Sequence, residues 1–335
     1  MGLQQPSLLP KPMRTWAKWV LRHVYQIRAD SPSMAVLTFH EIHPAGSYTP
    51  LMFETLLTML ARRVEFLTLS EACARLRQGR RLLRDTVVLT FDDGLRSQFV
   101  YVYPLLQRYQ AKATFFVVPG LMTERRWLWN HEALVRLEET PTEDLPQLPE
   151  LACCGESQPG SQARQKHTRE VVEQMKRLSE PQRQHILNAL RAVHPYLLEH
   201  HPLSPRYDLM TWDDLLCLDT ELVEIGSHSY THGILQGLSE HSLAQEVRAS
   251  RLAIEQRLGH PVTSFCYPNG DYDDATLHWV RECYDQAVTV AEAVASRPLD
   301  FHQLPRIWVS SDHEDALFRL ARQQWTLQQR QAAVC

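Results

Sequence analysis

No stretch of this sequence stays apolar for about 18 residues, so no segment reads as a membrane-spanning helix. Charge of one sign is lacking as well. The 35 Lys and Arg stand against 39 Asp and Glu, a formal net charge of −4. Basic residues are scattered apart from short clusters such as Arg80-Arg81 and Arg125-Arg126. A protein that neutralises phosphates needs a concentrated basic face, so no nucleic-acid partner is expected. The seven cysteines lack a framework: Cys73, Cys153, Cys154, Cys217, Cys266, Cys283 and Cys335 are odd in number and irregularly spaced. That pattern excludes a disulfide scaffold and predicts reduced thiols in a cytoplasmic protein. Met1 to Pro12 lacks the apolar core and small-residue cleavage site of a secretory leader. Internal repeats are lacking too.

What is present is an ordinary globular composition, 44% apolar and 22% charged. The 335 residues suit two average domains or one α/β barrel. From Met34 onward, short apolar runs alternate with helical stretches. The runs are Met34–Phe39, Val64–Leu69, Thr86–Phe91, Ala113–Val118, Leu222–Gly226, Thr263–Tyr267, Ala287–Val290 and Arg306–Val309. Strands this continuously apolar belong to parallel sheets covered on both faces. The spacing between them predicts helices over Phe53–Arg62, Ser97–Tyr109, Ser242–Leu258 and Asp274–Cys283. Together they predict an α/β fold, closed or nearly closed as a barrel.

Three segments stand outside that alternation. Residues 1–33 read as an amphipathic helix and linker, with Trp16, Trp19, Val20, Val24 and Ile27 along one face and Arg14, Lys18, Arg22 and Arg28 supplying charge. Such a helix either packs on the main domain or lies at a membrane interface. Residues 122–210 read as an insertion in a barrel spanning 34–335. In it Thr140–Gly160 is a loop, and Gln165–Ala192 one or two polar helices packing through Val171, Met175, Leu178, Ile186 and Leu190. Trp127, Trp129 and Asn130 open it, either to stack on a sugar ring or to anchor the insertion. Asp315–Val334 reads as a terminal helix.

Chemistry concentrates at two strand ends. Thr90-Phe91-Asp92-Asp93-Gly94 ends one apolar run, and Gly226-Ser227 leads from another into His228-Ser229-Tyr230-Thr231-His232. In parallel α/β folds the carboxyl ends of strands carry the active site. A turn would account for the Asp-Asp-Gly by itself. The four-residue spacing of the histidines predicts both rings on one side of a helical turn. One Asp and two His can hold a divalent ion and leave positions open for water and substrate. The second Asp is then free to act as a base.

These two segments resemble the first two motifs of the polysaccharide deacetylase family, the NodB-homology or carbohydrate esterase 4 group. Phe265-Cys266-Tyr267-Pro268-Asn269-Gly270 resembles the third motif, with Cys266 where the familiar form has an arginine. Thr211-Trp212-Asp213-Asp214 and Leu304-Pro305-Arg306-Ile307 are similar to further family segments. Val36-Leu37-Thr38-Phe39-His40 resembles the Tyr-His element that opens the barrel in one bacterial subgroup. The resemblance covers roughly residues 34–125 and 210–310. It implies a distorted (β/α) barrel and a divalent metal, Zn²⁺, with Asp93, His228 and His232 as ligands and Asp92 as catalytic base.

Two departures leave roles to fill. Without an arginine at position 266, Arg306 is the candidate to orient Asp92 and balance its charge. The family's fifth motif, which carries a general-acid histidine, is not evident. His302, just before the last strand, and His40, at the end of the first, are the candidates for it. The resemblance implies a metal-dependent hydrolase removing an N-acyl group, taken as N-acetyl, from an amino sugar. The expected substrate is a cell-envelope or exopolysaccharide glycan or its lipid-linked precursor. With no export leader in view, a cytoplasmic protein is expected, peripheral at the inner face of the membrane if residues 13–28 bind lipid. The alternative is a carbohydrate-binding protein on a deacetylase scaffold with impaired catalysis.

Overall fold

The eight apolar runs become eight strands, all parallel. They are β1 (Met34–Phe39), β2 (Glu65–Phe66), β3 (Thr86–Phe91), β4 (Ala113–Val117), β5 (Val223–Ser227), β6 (Ser264–Cys266), β7 (Gln286–Glu292) and β8 (Leu304–Trp308). The computed structural model describes residues 34–62, 64–79, 86–292 and 299–309. The amphipathic segment 13–28 and the Asp315–Val334 helix lie outside them. Among the described residues no helix is long and apolar enough to cross a membrane.

Seven strands close a ring. β1 pairs with β3 along its whole length and with β8 at Leu37 and Thr38, and β3 to β8 follow in chain order. β2 is a two-residue addition, shorter than the apolar run suggests. It pairs with the start of β3 on the edge whose later residues pair with β4. Leu67 still donates to Val87, but Thr68 then caps a helix, its hydroxyl on the N–H of Glu71 and the Glu71 carboxylate on its own N–H. This reciprocal cap begins helix Leu69–Arg77 where the run had predicted more strand.

Every residue of β1, β3 and β4 is buried, because each strand has two covered faces. Val36, Val88, Phe116, Cys266, Val288 and Leu304 form one cluster, closed by Leu69, Ala72 and Cys73 of the Leu69–Arg77 helix. Their sequence neighbours Leu37, Leu89, Phe115, Phe265 and Ala287, with Ile307 further along β8, join the larger cluster under the surrounding helices. The period of two is the strand's own. Gly226 is required by close packing: a Cβ there would come within 2.6 Å of the Phe116 ring and 2.9 Å of the Ser264 carbonyl.

Between β4 and β5 the chain builds the insertion. Its main helices, α1 (Trp129–Glu139), α2 (Gln162–Met175) and α3 (Glu180–Val193), share a core of Trp129, Leu137, Val171, Met175, Ile186 and Leu190. Short helical turns at Thr142–Asp144, Pro149–Leu151 and Ala152–Gly155 break up the expected loop. Buried Arg164 holds that region by donating to the carbonyls of Leu137, Thr140 and Ser157. Trp127 and Trp129 are 6% and 8% exposed, so they serve as anchors.

Candidate metal centre and active site

Two aromatic residues set the position of the acidic pair. Phe39 and Phe91 stand opposite each other in the β1–β3 register and stack at 5.0 Å. The ladder runs one bond further, Asp92 N–H donating to the Phe39 carbonyl at 2.9 Å. His40 and Asp92 therefore leave the barrel side by side, with His40 Nε2 3.8 Å from Asp92 Oδ2. Asp93 turns back with a φ of 76° and Gly94 follows at 66°. A left-handed non-glycine residue costs roughly 1–3 kcal/mol and survives only where its surroundings impose it.

Here the end of the insertion holds the turn. Met210 N–H donates to the Gly94 carbonyl, Leu209 bridges Leu95, and Arg96 N–H donates to the Asp208 carbonyl. Asp208 Oδ1 in turn accepts from Trp127 Nε1 at 2.7 Å.

The histidine pair follows β5, but not on a helical turn. Gly226 and Ser227 belong to the strand, and the chain beyond them is a loop with Ser229 and His232 in left-handed conformations at φ 64° and 60°. Glu246, on the following helical segment, satisfies that loop. Its carboxylate accepts from the N–H groups of Tyr230 and Thr231 at 3.0 and 2.9 Å and from the Thr231 hydroxyl. His228 N–H donates to the Val117 carbonyl, and its Nδ1 pairs with the Cys266 carbonyl at 2.8 Å, leaving Nε2 facing the centre.

Asp93 Oδ1 lies 3.6 Å from His228 Nε2 and 3.3 Å from His232 Nε2. One ligand atom from each of the three residues falls within 4.8 Å of the others. Burial pushes His228 down to about 4, with the neighbouring His232 adding to the effect, so the ring is neutral near pH 7 and carries a free lone pair. Burial would raise Asp93, but the hydrogen bond from His232 and the nearby histidines outweigh it and hold the carboxyl well below its ordinary range. An ionised carboxylate and two imidazoles, one oriented by a carbonyl on its far nitrogen, fit a divalent ion. Asp92, His228 and Cys266 also lie within 4.8 Å of one another. There, however, burial pushes the thiol up, and its sulfur already accepts from Arg306 at 3.3 Å.

Asp92 is occupied differently. Arg306 Nη1 and Nη2 donate to its two carboxylate oxygens at 2.7 and 2.8 Å. The guanidinium is fixed from behind by the Thr289 carbonyl and the Thr90 hydroxyl. Burial alone would raise Asp92, but Arg306, with help from His40, holds it at about 2. Cys266 is small enough to leave the guanidinium room, so the charge missing at position 266 enters from β8.

Of the residues singled out in the sequence, Asp92, Asp93, His228, His232, Arg306 and His40 meet at one mouth of the barrel. His302 does not. It precedes β8, and in a parallel barrel the residues before strands lie at the opposite end from those after them. Its Nε2 pairs with the carbonyl of Tyr284, just before β7, in a surface cleft with Arg77, Arg281 and Asp285. His302 therefore lies away from the site and cannot serve there as the general acid. Two residues escaped the sequence reading. Glu246 sat unmarked in a helix correctly expected. His131, in the first turn of α1, comes within electrostatic range of Asp93, His232, Glu41 and His40. Only its closeness to Trp129 and Asn130 could have drawn attention to it.

A family model described as polysaccharide deacetylase matches residues 79–148 and 168–287, more than half of the chain. YxkH of Bacillus subtilis (strain 168), named for the same family, is 22% identical over 297 residues, covering 87% of this chain and 77% of that protein. Among solved structures, the Streptococcus pyogenes deacetylase PplD, in complex with acetate, aligns with a TM-score of 0.58 at 19% identity, over 86% of this chain and 98% of that one. IcaB from Ammonifex degensii aligns with a TM-score of 0.57 at 17% identity, over 87% and 98%. At such identities the likeness is one of fold.

Proposed function

Because the chain belongs to the polysaccharide deacetylase family, we propose that it is a metal-dependent hydrolase removing the N-acetyl group from an amino sugar. The sugar would belong to a cell-envelope or exopolysaccharide glycan or to its lipid-linked precursor. The observation that carries this reading is the convergence of Asp93, His228 and His232 beside an arginine-held Asp92 at one barrel mouth. A divalent ion on those three residues, zinc by their donor chemistry, would acidify water and polarise the amide carbonyl.

The chain's own groups do the rest. Asp92 accepts the proton of the attacking water at a carboxylate oxygen, and Arg306 keeps that carboxylate ionised and in place. His40, 3.8 Å from Asp92 Oδ2 and about a third exposed, stands where it can protonate the amine as the carbon–nitrogen bond breaks. The products are acetate and the free amino sugar. The intact set of four residues favours hydrolysis over mere sugar binding.

The test is metal content and acetate release with the purified full chain. About one ion per chain, lost in His228→Ala/His232→Ala, is expected. Asp92→Asn should keep the ion and lose turnover. A wild-type chain that binds no ion even after incubation with zinc would sink the reading.

A further inference from the structure

His131 has one ring nitrogen without a hydrogen-bond partner. Its ring stacks on Tyr207 at 4.5 Å and 26°, and its Nδ1 is buried with no hydrogen-bond partner. Buried polar groups in native structures are almost always paired. A ring nitrogen left unpaired near Asp93 and His232 is in the state expected when the partner arrives with a ligand.

Its placement is built rather than accidental. Tyr207 precedes Asp208, the residue that joins Arg96, next to the metal turn, to Trp127, next to α1. Trp127 also meets the Tyr207 ring edge-on at 5.4 Å. Arg206 is clamped by Glu41, directly after His40, at 2.6 and 2.9 Å. The first turn of α1 is thus tied to both the Asp93 turn and the end of β1. His131 is nevertheless outside the ligand cluster, which comprises Asp93, His228 and His232. A neutral imidazole offers one donor and one acceptor nitrogen. A sugar hydroxyl, itself donor and acceptor, matches that pair; an anionic group beside Glu41 and Asp93 does not.

We infer that His131 is a substrate-binding residue, hydrogen-bonding a hydroxyl of the amino sugar, and that through it the insertion helps select the substrate. This rests on the deacetylase reading above. The experiment uses the zinc-loaded full chain and an N-acetylglucosamine oligosaccharide, with acetate release followed against substrate concentration. His131→Phe keeps the stack on Tyr207 and removes the polar contact. It should raise KM about fivefold to tenfold, the worth of one neutral hydrogen bond, with kcat within about twofold. Ion content should stay at the wild-type level, and His131→Gln, with its amide donor and acceptor, should recover part of the loss. His131→Gln also carries the test if the phenylalanine variant folds poorly, because it should then bind substrate better than His131→Ala. An unchanged KM, a fall in kcat alone, or loss of the ion overturns the assignment. A wild-type enzyme that releases no acetate overturns the deacetylase reading and this inference with it. An active wild type matched by His131→Phe overturns this inference alone.

Discussion

Replacing Arg306 by methionine should unfold much of what holds the site. Arg306 and Asp92 are 1% and 2% exposed, so neither charge has water to fall back on. Removing one partner of a buried pair costs about 3–5 kcal/mol, because the other charge is left uncompensated. An independent route gives a similar size. Asp92 is lowered from 3.8 to about 2, a shift worth about 2–3 kcal/mol of folding free energy. The lost bonds to the Thr289 carbonyl and the Thr90 hydroxyl add about 1 kcal/mol each. Because the folded value is depressed, this contribution is complete above the ordinary carboxylate value and disappears as pH falls through about 2. The measurement is urea unfolding of wild type, Arg306→Met and Asp92→Asn/Arg306→Met at neutral pH, and of the first two at falling pH. The single variant should lose about 3–5 kcal/mol. The double variant, with no stranded carboxylate, should regain at least about 1 kcal/mol. The gap between wild type and Arg306→Met should narrow toward low pH. A loss under about 1 kcal/mol, the range of an exposed pair, or a double variant no better than the single, would refute the argument.

Gly226→Ala should destabilise the barrel by about 1–3 kcal/mol, since its Cβ would press on the Phe116 ring inside a closed wall; an unchanged denaturation midpoint would show that the wall yields. Glu246→Gln should weaken ion retention about tenfold in a chelator competition, because it loosens the loop carrying His228 and His232 without touching either. Cys266→Arg should destabilise the protein by setting a second guanidinium against Arg306, and Cys266→Arg/Arg306→Met should be the more stable of the two by urea unfolding. Equal stabilities would mean the two positions do not compete for Asp92.

The strands were legible because a parallel barrel strand is covered on both faces and must be apolar along its length, as Thr86–Phe91 and Ala113–Val117 are. Asp92 and Asp93 were legible because they follow such a run. The same rule separates the two histidine candidates: His40 comes after β1 and reaches the site, whereas His302 comes before β8 and faces the other end. The backbone at His228–His232 was misread because a spacing of four is also met by a loop with two left-handed residues. What stabilises that loop, Glu246, lies more than a dozen residues further along the chain. His131 offered no signal beyond its place next to Trp129 and Asn130. Its position depends on the insertion folding back, so that Tyr207 and Asp208 meet α1 and the Gly94 turn together.

The bond between Arg306 and Asp92 joins residues 214 apart in the chain, and β8 is the strand that closes the ring between β7 and β1. During synthesis, β1 and β3 therefore emerge long before the counter-charge that Asp92 needs. Pairing at such separation is slow, because the entropy of closing the loop is lost before the contact is gained. The growing chain can bury β1 and β3 against their helices, but it reaches the native site only after β8 has emerged. The Arg306–Asp92 pair can therefore form only once nearly the whole barrel has been made. A chain halted before Arg306 leaves the barrel seam open and its apolar strand surface exposed.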